Sequence, residues 1–204
     1  MIKRTSITFI NNILEKNPNW KVLDIGCGYR AHSKASVIAD TQDFSNFYKQ
    51  RKFIQIKNKN LPFEDKEFDF VIASHVIEHV ADFEFFIKEL ERITSKGYIE
   101  LPSRLGDNLV FENKKDHIWW FCYDDVTNKL IASKKNQLID PFMTVSTGKF
   151  FEEIFRESLV IELIWEEKID YKIDNQIRHE NIKKTSFLKL FRKYLSKKIR
   201  TFYK

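Results

Sequence analysis

Two aspartates and two glycines in the first 40 residues have the types and spacing of a ligand-binding turn. Asp24 lies in an apolar segment and is followed by Gly26 and Gly28, and Asp40 ends the next apolar segment. Glycine adopts positive φ and lets a ligand approach the backbone closely, and open α/β sheets bind ligands beyond the carboxyl ends of their strands. Asp24 could accept a hydrogen bond from a cationic amino group, and Asp40 could accept from both hydroxyls of a ribose. Together these residues predict a site for an amino-acid nucleoside with a free 2′-hydroxyl.

A single Gly-x-Gly turn has two other interpretations. It could be a tight turn that needs glycine, beside a carboxylate that caps a helix. Gly26, Gly28 and Ala31 also satisfy the dinucleotide fingerprint G-x-G-x-x-G/A, but that fingerprint opens a full helix and has its ribose-binding acid about 20 residues further on. Here only eight residues separate Gly28 from Val37, whereas a parallel crossover normally needs about a dozen. We therefore expect a very short helix or a loop in the first crossover.

The hydrophobic pattern around these residues predicts alternating helices and strands. Asp82 has the position of a helix cap ahead of an apolar stripe. Helices are predicted over 5–16, 83–93 and 150–156, and strands over 20–25, 37–40, 53–56, 68–73, 98–101, 159–165 and 168–173. An aromatic segment, 118–123, and its return, 129–132, predict a β-hairpin. The alternation predicts an α/β fold: a Rossmann-like, doubly wound, mostly parallel sheet with a β-hairpin insertion and a basic C-terminal helix.

Composition narrows the class of protein. The chain has 204 residues, of which 43% are apolar and 31% charged, as in a soluble globular domain. The two cysteines, Cys27 and Cys122, lie far apart and outside any Cys-x-x-Cys pair. Neither a zinc site nor a disulfide framework is therefore expected, and a reducing cytoplasm fits best. No apolar run is long enough for a signal peptide or a membrane span.

The net charge of +6 comes from the C-terminal end. Residues 183–204 hold nine Lys/Arg and no Asp/Glu, whereas residues 1–182 have a net charge of −3. We predict a domain over 1–182 and a basic amphipathic helical tail over 183–204. The apolar residues of the tail recur at three- and four-residue steps: Phe187, Leu190, Phe191, Tyr194, Leu195, Ile199 and Phe202.

The tail has three interpretations. It could be an interfacial helix that binds anionic lipid, a helix docked on its own domain or on a partner chain, or an RNA-binding segment. Its aromatic residues lie on the apolar stripe rather than among the basic residues, which weakens the nucleic-acid interpretation. The corresponding location is the cytoplasm, either free or peripheral at the membrane.

Two sequence blocks resemble class I S-adenosylmethionine-dependent methyltransferases of the methyltransferase-11-like group. The first is Val22-Leu-Asp-Ile-Gly-Cys-Gly28. The second is Leu61-Pro-Phe-Glu-Asp-Lys-Glu-Phe-Asp69-Phe-Val-Ile-Ala-Ser-His75-Val-Ile-Glu-His79-Val, followed by Gly97-Tyr-Ile-Glu-Leu-Pro102. The blocks stand in the order and at the spacing of that family, and the resemblance covers roughly residues 18–125. It implies S-adenosylmethionine as the cofactor.

The resemblance also implies roles for individual residues. Asp24, Gly26 and Gly28, with Cys27 between the glycines, would form the turn under the methionine part, and Asp40 would hold the ribose. Leu61 would flank the adenine, and Ser74 and His75 would line the cofactor near its sulfonium. The family usually has an acid shortly before its Leu-Pro-Phe segment to accept the adenine amino group. Asn58 stands there in this chain and could accept through its amide oxygen.

Histidines are the candidates for proton transfer near neutral pH. His75, toward the cofactor, and His117, beside Asp116, are the candidate catalytic residues, with Asp116 as a group that could orient His117. Helical spacing would put His75 and His79 on one face, but no third ligand is evident and no metal site is predicted. We expect a structural role for His79. Trp119, Trp120 and Phe121 could wall an acceptor pocket, although packing of the hairpin onto the sheet is the favoured role for at least two of them.

The sequence predicts an S-adenosylmethionine-dependent methyltransferase. Its acceptor would be a hydroxyl or carboxyl of a small molecule, a lipid-linked intermediate or a surface glycan. The alternative is a non-catalytic accessory or sensing protein that binds the cofactor. Asn58 and the lack of an obvious base motivate that alternative. Nucleic acid is not an expected partner.

Overall fold

The computed structural model describes residues 1–174 and 186–202. The strands are β1 (Ile2–Arg4), β2 (Val22–Ile25), β3 (Val37–Asp40), β4 (Lys52–Gln55), β5 (Phe70–Ser74), β6 (Lys96–Pro102), β7 (Trp119–Asp124), β8 (Lys129–Lys134), β9 (Val160–Glu166) and β10 (Tyr171–Ile173). The helices are α1 (Ile7–Lys16), α2 (Phe83–Ile93), α3 (Arg104–Leu109), α4 (Asn113–Asp116), α5 (Val145–Leu159) and α6 (Phe187–Phe202), with a single 3₁₀ turn at Ile77–His79.

Seven strands form the central sheet, in the order β1-β9-β6-β5-β2-β3-β4. Strands β2 to β6 run parallel, and β9 is antiparallel to both β6 and β1. The mostly parallel α/β sheet predicted from the sequence is confirmed. β2 pairs with β3 on one side and β5 on the other, so the strand order reverses there and opens a crevice at the carboxyl ends.

Alternate residues of the central strands pack on opposite faces of the sheet. Ile38 and Ile72 contribute to the core under α1, whereas Leu23, Ala39 and Val71 contribute to the core under α2 and the hairpin. The residues of the apolar stripe predicted for α2 are all buried: Phe83, Phe86, Ile87, Leu90 and Ile93. Asp82 caps that helix by accepting from the backbone N of Phe85 at 3.1 Å, as predicted.

The first crossover contains no helix. Residues 26–36, between β2 and β3, form turns, which confirms the expectation from their small number. β6 begins two residues earlier than the sequence pattern predicts, because Gly97 lies inside the strand. A Cβ there would meet the ring of Trp165 at 2.0 Å, so glycine lets the tryptophan pack against the strand.

The predicted β-hairpin is formed by β7 and β8, which pair antiparallel from Trp119↔Lys134 to Asp124↔Lys129. β10 adds to β8 in parallel and completes a second, three-stranded sheet. In the part of the chain that the structure describes, no helix is long and apolar enough to span a membrane. His179 lies outside the described residues.

Candidate cofactor site

The residues predicted to bind the cofactor converge at the carboxyl ends of β2, β3 and β5. They line two cavities of about 580 and 660 Å³. Asp24, Cys27 and Ser74 line the smaller cavity. The larger is lined by Asp40, Asn58 and Leu61. Gly26 and His75 line both, so the two cavities adjoin at the turn; together they are called the cleft.

The glycine turn needs glycine for two different reasons. Gly26 has φ +72°, and a Cβ there would lie 2.2 Å from Cγ2 of Val76. Gly28 has φ +46° with open space around a Cβ, so only its backbone conformation disfavours a side chain. Its amide donates to Oδ2 of Asp40 at 2.9 Å, which ties the turn to the end of β3.

Asp24 is a buried carboxyl at the base of the cleft. Its Oδ2 accepts from the backbone N of His32 at 2.6 Å. Burial raises the pKa of Asp24 to about 6, although the hydrogen bond from His32 and the charge of Arg51 offset part of that rise. A cationic group that entered the cleft beside Asp24 would favour the ionised carboxylate.

Asp40 is held rigidly at the end of β3. Besides the Gly28 contact, its Oδ1 accepts from the backbone N of Gln42 at 3.0 Å. Each carboxylate oxygen has further acceptor capacity, and Asp40 lines the larger cavity. A pair of hydroxyls in that cavity would find a preoriented acceptor.

The far end of the larger cavity is mainly apolar. Buried Leu61 is fixed by its backbone N, which donates to Oε2 of Glu89 at 2.7 Å. Asn58 is exposed at the rim. Sequence reasoning missed the other apolar lining residues, Ile56, Val80, Phe85 and Phe86, because their side chains reach the cavity from separate segments.

His75 does not have the environment of a general base. It follows β5 with φ +53°, a strained conformation for a residue other than glycine. Nδ1 lies 3.2 Å from Glu78 and Nε2 lies 3.1 Å from Glu100. Burial alone lowers the pKa of His75, but the hydrogen bonds to Glu100 and Glu78 outweigh it and raise the pKa to about 10. The imidazolium form has no lone pair for a proton near pH 7.

His75 belongs to a network of hydrogen-bonded charged and polar side chains around Glu100. Glu100 also accepts from the hydroxyl of Tyr98 at 2.6 Å and from Nη2 of Arg156 at 2.5 Å. Burial raises the pKa of Glu100, but His75, Tyr98 and Arg156 together lower it to about 2. Glu100 is thus fully engaged by these partners. Arg156 was missed, because α5 is far from β6 in the chain.

His117 is oriented by Asp107 and not by Asp116, which corrects the sequence expectation. Nδ1 of His117 bonds Oδ1 of Asp107, and Nζ of Lys135 lies 2.7 Å from Oδ2 of the same carboxylate. His117 is nearly buried and lines neither cavity of the cleft. His117 packs against His79, which does line the larger cavity, and its catalytic role remains a prediction.

The aromatic residues of the hairpin are structural. Trp119, Trp120 and Phe121 are all at least 94% buried. The indole N–H of Trp119 donates to the carbonyl of Val80 at 2.8 Å, and that of Trp120 donates to Asp107 at 2.5 Å. They hold the hairpin on the sheet and do not wall an acceptor pocket.

His79 differs from its expected environment. The segment is a 3₁₀ turn, so His75 and His79 do not share a helical face, and the side chain of His79 is exposed. Its Nδ1 bonds the carbonyl of Asp116 at 3.0 Å. Glu78, His79 and His117 bring ligand-type atoms within 4.8 Å of one another. These three could hold a metal ion; the set differs from the His75–His79 pair considered from the sequence and takes His117 from the turn before β7.

Part of the chain is similar in sequence to known methyltransferases. Residues 23–99 match the family model described as a methyltransferase domain. A ubiquinone biosynthesis O-methyltransferase from Pelagibacter ubique (strain HTCC1062) is 30% identical over 106 residues, which cover 45% of this chain and 44% of the relative. The chain thus spans less than half the length of that curated relative.

Two solved structures are similar at lower identity. The PH0226 protein from Pyrococcus horikoshii OT3 is 17% identical, with 78% of this chain and 88% of that chain covered and a TM-score of 0.45. A SAM-dependent methyltransferase from Methanosarcina mazei is 16% identical, with 79% and 98% covered and a TM-score of 0.45. The matched family segment runs from the Asp24 turn through β5 into β6, the part of the fold that forms the cleft. Over residues 23–99 the chain is similar to the methyltransferase domain family.

Proposed function

We propose that the chain transfers a methyl group from S-adenosylmethionine to an oxygen atom of an acceptor. The two adjoining cavities carry this proposal, because one is lined by a buried carboxyl, Asp24, the other by a rigid one, Asp40, and both by Gly26. That arrangement suits a ligand with a cationic amino group at one end and a ribose further along. The bound cofactor supplies an activated methyl group. The O-methyltransferase among the relatives supports oxygen as the accepting atom.

The residues around the cleft would position the cofactor for the transfer. Asp24 would accept from the ammonium group, Asp40 from the ribose hydroxyls, and Asn58 from the adenine amino group. Ser74 and His75 would lie beside the reacting centre, where the end of β5 meets both cavities. Such positioning accounts for most of the catalysis in a methyl transfer, because the reacting groups need only be held in line.

The protonation state of His75 limits the chemical class of the acceptor. Both ring nitrogens of His75 bond carboxylates, and its pKa is raised to about 10 by Glu100 and Glu78 against the effect of burial. It therefore cannot remove a proton from a neutral hydroxyl near pH 7. An acceptor that arrives already ionised needs no base. We propose that the acceptor is a carboxylate of a small molecule, a lipid-linked intermediate or a glycan, in preference to a neutral hydroxyl.

Calorimetry tests the cofactor half of the proposal. S-adenosylmethionine and its demethylated product should both bind the full chain. Asp40→Asn should weaken binding of both, because it removes the charge that accepts from the ribose. Asp43→Asn, a nearby exposed aspartate of the same size, is the matched control. Equal affinities for the wild-type protein and the Asp40 variant would contradict the assignment.

A transfer screen tests the reaction. Labelled S-adenosylmethionine is incubated with the protein and acceptor pools of carboxylic acids, phenols, lipids and nucleic acid. We expect label on a base-labile ester, since a methylated carboxylate is hydrolysed by mild alkali. Label found only in nucleic acid would contradict the proposal.

One observation favours a second function. The absence of a free base at His75 also fits an accessory or sensing protein that binds the cofactor without using it. Tight binding in calorimetry together with no transfer to any acceptor class would support this second function over the first.

A further inference from the structure

Helix α6 has an extreme charge pattern. Its 16 residues, Phe187–Phe202, carry six basic side chains and no acidic one. The basic residues are Lys189, Arg192, Lys193, Lys197, Lys198 and Arg200. A helix with this density of positive charge has no internal ion pairs, and an anionic partner would offset its self-repulsion.

The opposite face of α6 is apolar and uncovered. Phe187, Phe191, Leu195 and Ile199 follow one another at four-residue steps and form one ridge. Seven large apolar side chains on the helix are between 42% and 66% exposed: Phe187, Leu188, Leu190, Phe191, Tyr194, Leu195 and Ile199. A helix docked along its own domain would bury this ridge, so the structure speaks against that interpretation of the tail.

The start of α6 contacts the segment that precedes α5. The ring of Phe187 stacks on Phe142 at 5.4 Å between centroids, and Phe191 continues the stack at 6.3 Å. Phe142 itself is 42% exposed, and Phe150 and Ile154 of α5 are each 58% exposed. An aromatic contact therefore joins exposed apolar residues of α6 to the segment before α5, and exposed apolar clusters mark interaction surfaces.

We propose that α6 binds an anionic lipid surface, with its apolar ridge inserted among the acyl chains and its basic residues among the headgroups. Helices with this pattern lie in the interface plane of a bilayer. A second copy of α6 would fit less well, because the basic residues that flank the ridge would face like charges and find no acidic partner. Nucleic acid would pair with the basic face but would leave the apolar ridge in water.

The location of α5 connects this surface to the cleft. Lys149, Glu152, Glu153 and Arg156 of α5 line the smaller cavity, and Phe150 and Ile154 lie on an adjacent face of the same helix. Binding through α6 would bring this side of the cleft near the bilayer, where a lipid-linked acceptor would be found. That last step depends on the proposed function, whereas the membrane binding itself does not.

Flotation of the full chain with lipid vesicles tests the proposal without cofactor or acceptor. We expect the protein to float with vesicles of phosphatidylcholine and phosphatidylglycerol at 3:1 and to stay at the bottom with phosphatidylcholine alone. Raising the salt to 0.5 M should reduce flotation, since the attraction is screened.

Two pairs of variants separate charge from apolar insertion. Arg192→Glu with Lys193→Glu should lower the partition coefficient at least about 25-fold, because each basic residue near an anionic surface is worth about 1 kcal/mol. Lys114→Glu with Lys115→Glu, on exposed α4, makes the same change in net charge and should bind like the wild type. Phe191→Gln with Leu195→Gln keeps good helix formers and should also abolish flotation, whereas Phe9→Gln on α1, 54% exposed, should not.

The outcomes are distinct. A wild-type protein that stays at the bottom with anionic vesicles would overturn the proposal, as would flotation that both α6 variants leave unchanged. Light scattering that shows a dimer dissociated by the Phe191 and Leu195 changes, without flotation, would assign α6 to self-association instead. RNA binding without vesicle binding would also overturn it. Flotation without any methyl transfer would leave the membrane surface established and count only against the acceptor.

Discussion

Replacing Asp24 with asparagine should stabilise the empty protein and weaken its binding of S-adenosylmethionine. Burial raises the pKa of Asp24 to about 6 from an ordinary value of 3.8. The unfolded chain releases the proton more easily, so the folded state holds the ionised side chain at a cost of about 3 kcal/mol near pH 7. Asparagine removes that charge and keeps an oxygen that can accept from the backbone N of His32, which lies 2.6 Å from Asp24.

The sign of this effect depends on pH. A carboxyl whose pKa is raised by folding destabilises the protein as pH rises from the unfolded value toward the folded value. The advantage of Asp24→Asn should therefore be largest above pH 6, as much as about 3 kcal/mol, and fall to about 1 kcal/mol near pH 4.5. Asp43→Asn is the control of opposite sign, because hydrogen bonds from Ser45 lower the pKa of Asp43.

Urea unfolding followed by tryptophan fluorescence measures the change, since Trp119, Trp120 and Trp165 are buried. Calorimetry with S-adenosylmethionine measures the functional cost. Loss of a charged hydrogen bond to the ammonium group should weaken binding about 10- to 150-fold, equivalent to about 1.5–3 kcal/mol. An Asp24→Asn protein that is less stable at pH 7.5, or that binds the cofactor as tightly as the wild type, would refute the reasoning.

Three further predictions follow from the same contacts. Gly28→Ala should lower the free energy of unfolding by about 1–2 kcal/mol, from backbone strain alone, and Gly26→Ala should lower it by more. Equal losses in urea titrations would contradict the difference in space around the two Cβ positions. Asp107→Asn should lower the free energy of unfolding by about 3–5 kcal/mol, because it breaks a buried charge network, whereas Asp116→Asn should change it by less than about 0.5 kcal/mol. The reverse order in thermal unfolding would support the pairing of Asp116 with His117 that the sequence suggested. The pKa of His75 is raised to about 10 by Glu100 and Glu78 against the effect of burial, so His75 contributes stability that is present below pH 6.5 and lost as pH rises toward 10. His75→Gln should make that loss of stability with pH smaller. An unchanged pH profile would show that the imidazolium is not formed.

Local patterns were enough for most of the fold. Strands β2, β3 and β5 are short, apolar and bounded by polar residues, so their existence and order could be predicted from hydrophobic periodicity. The cap at Asp82 and the loop in place of a first helix were equally local, because they depend on one side chain and on the number of residues between two strands. Asp24 and Asp40 became candidate cofactor residues because parallel strands bring their carboxyl ends to one edge, whereas Leu61, Asn58, Ser74 and His75 became candidates through the family resemblance.

What the sequence determined by itself was the frame of the site: the Asp24 turn, Asp40 at the end of β3, and the segment around Ser74 and His75. The tertiary structure decided the chemical state of the side chains. It placed Glu100 of β6 beside His75 and so made that histidine a cation instead of a base. Likewise it gave His117 the carboxylate of Asp107 in place of its chain neighbour. Protonation and orientation depend on burial and on charges that approach from other elements, and adjacency in the sequence does not encode those distances.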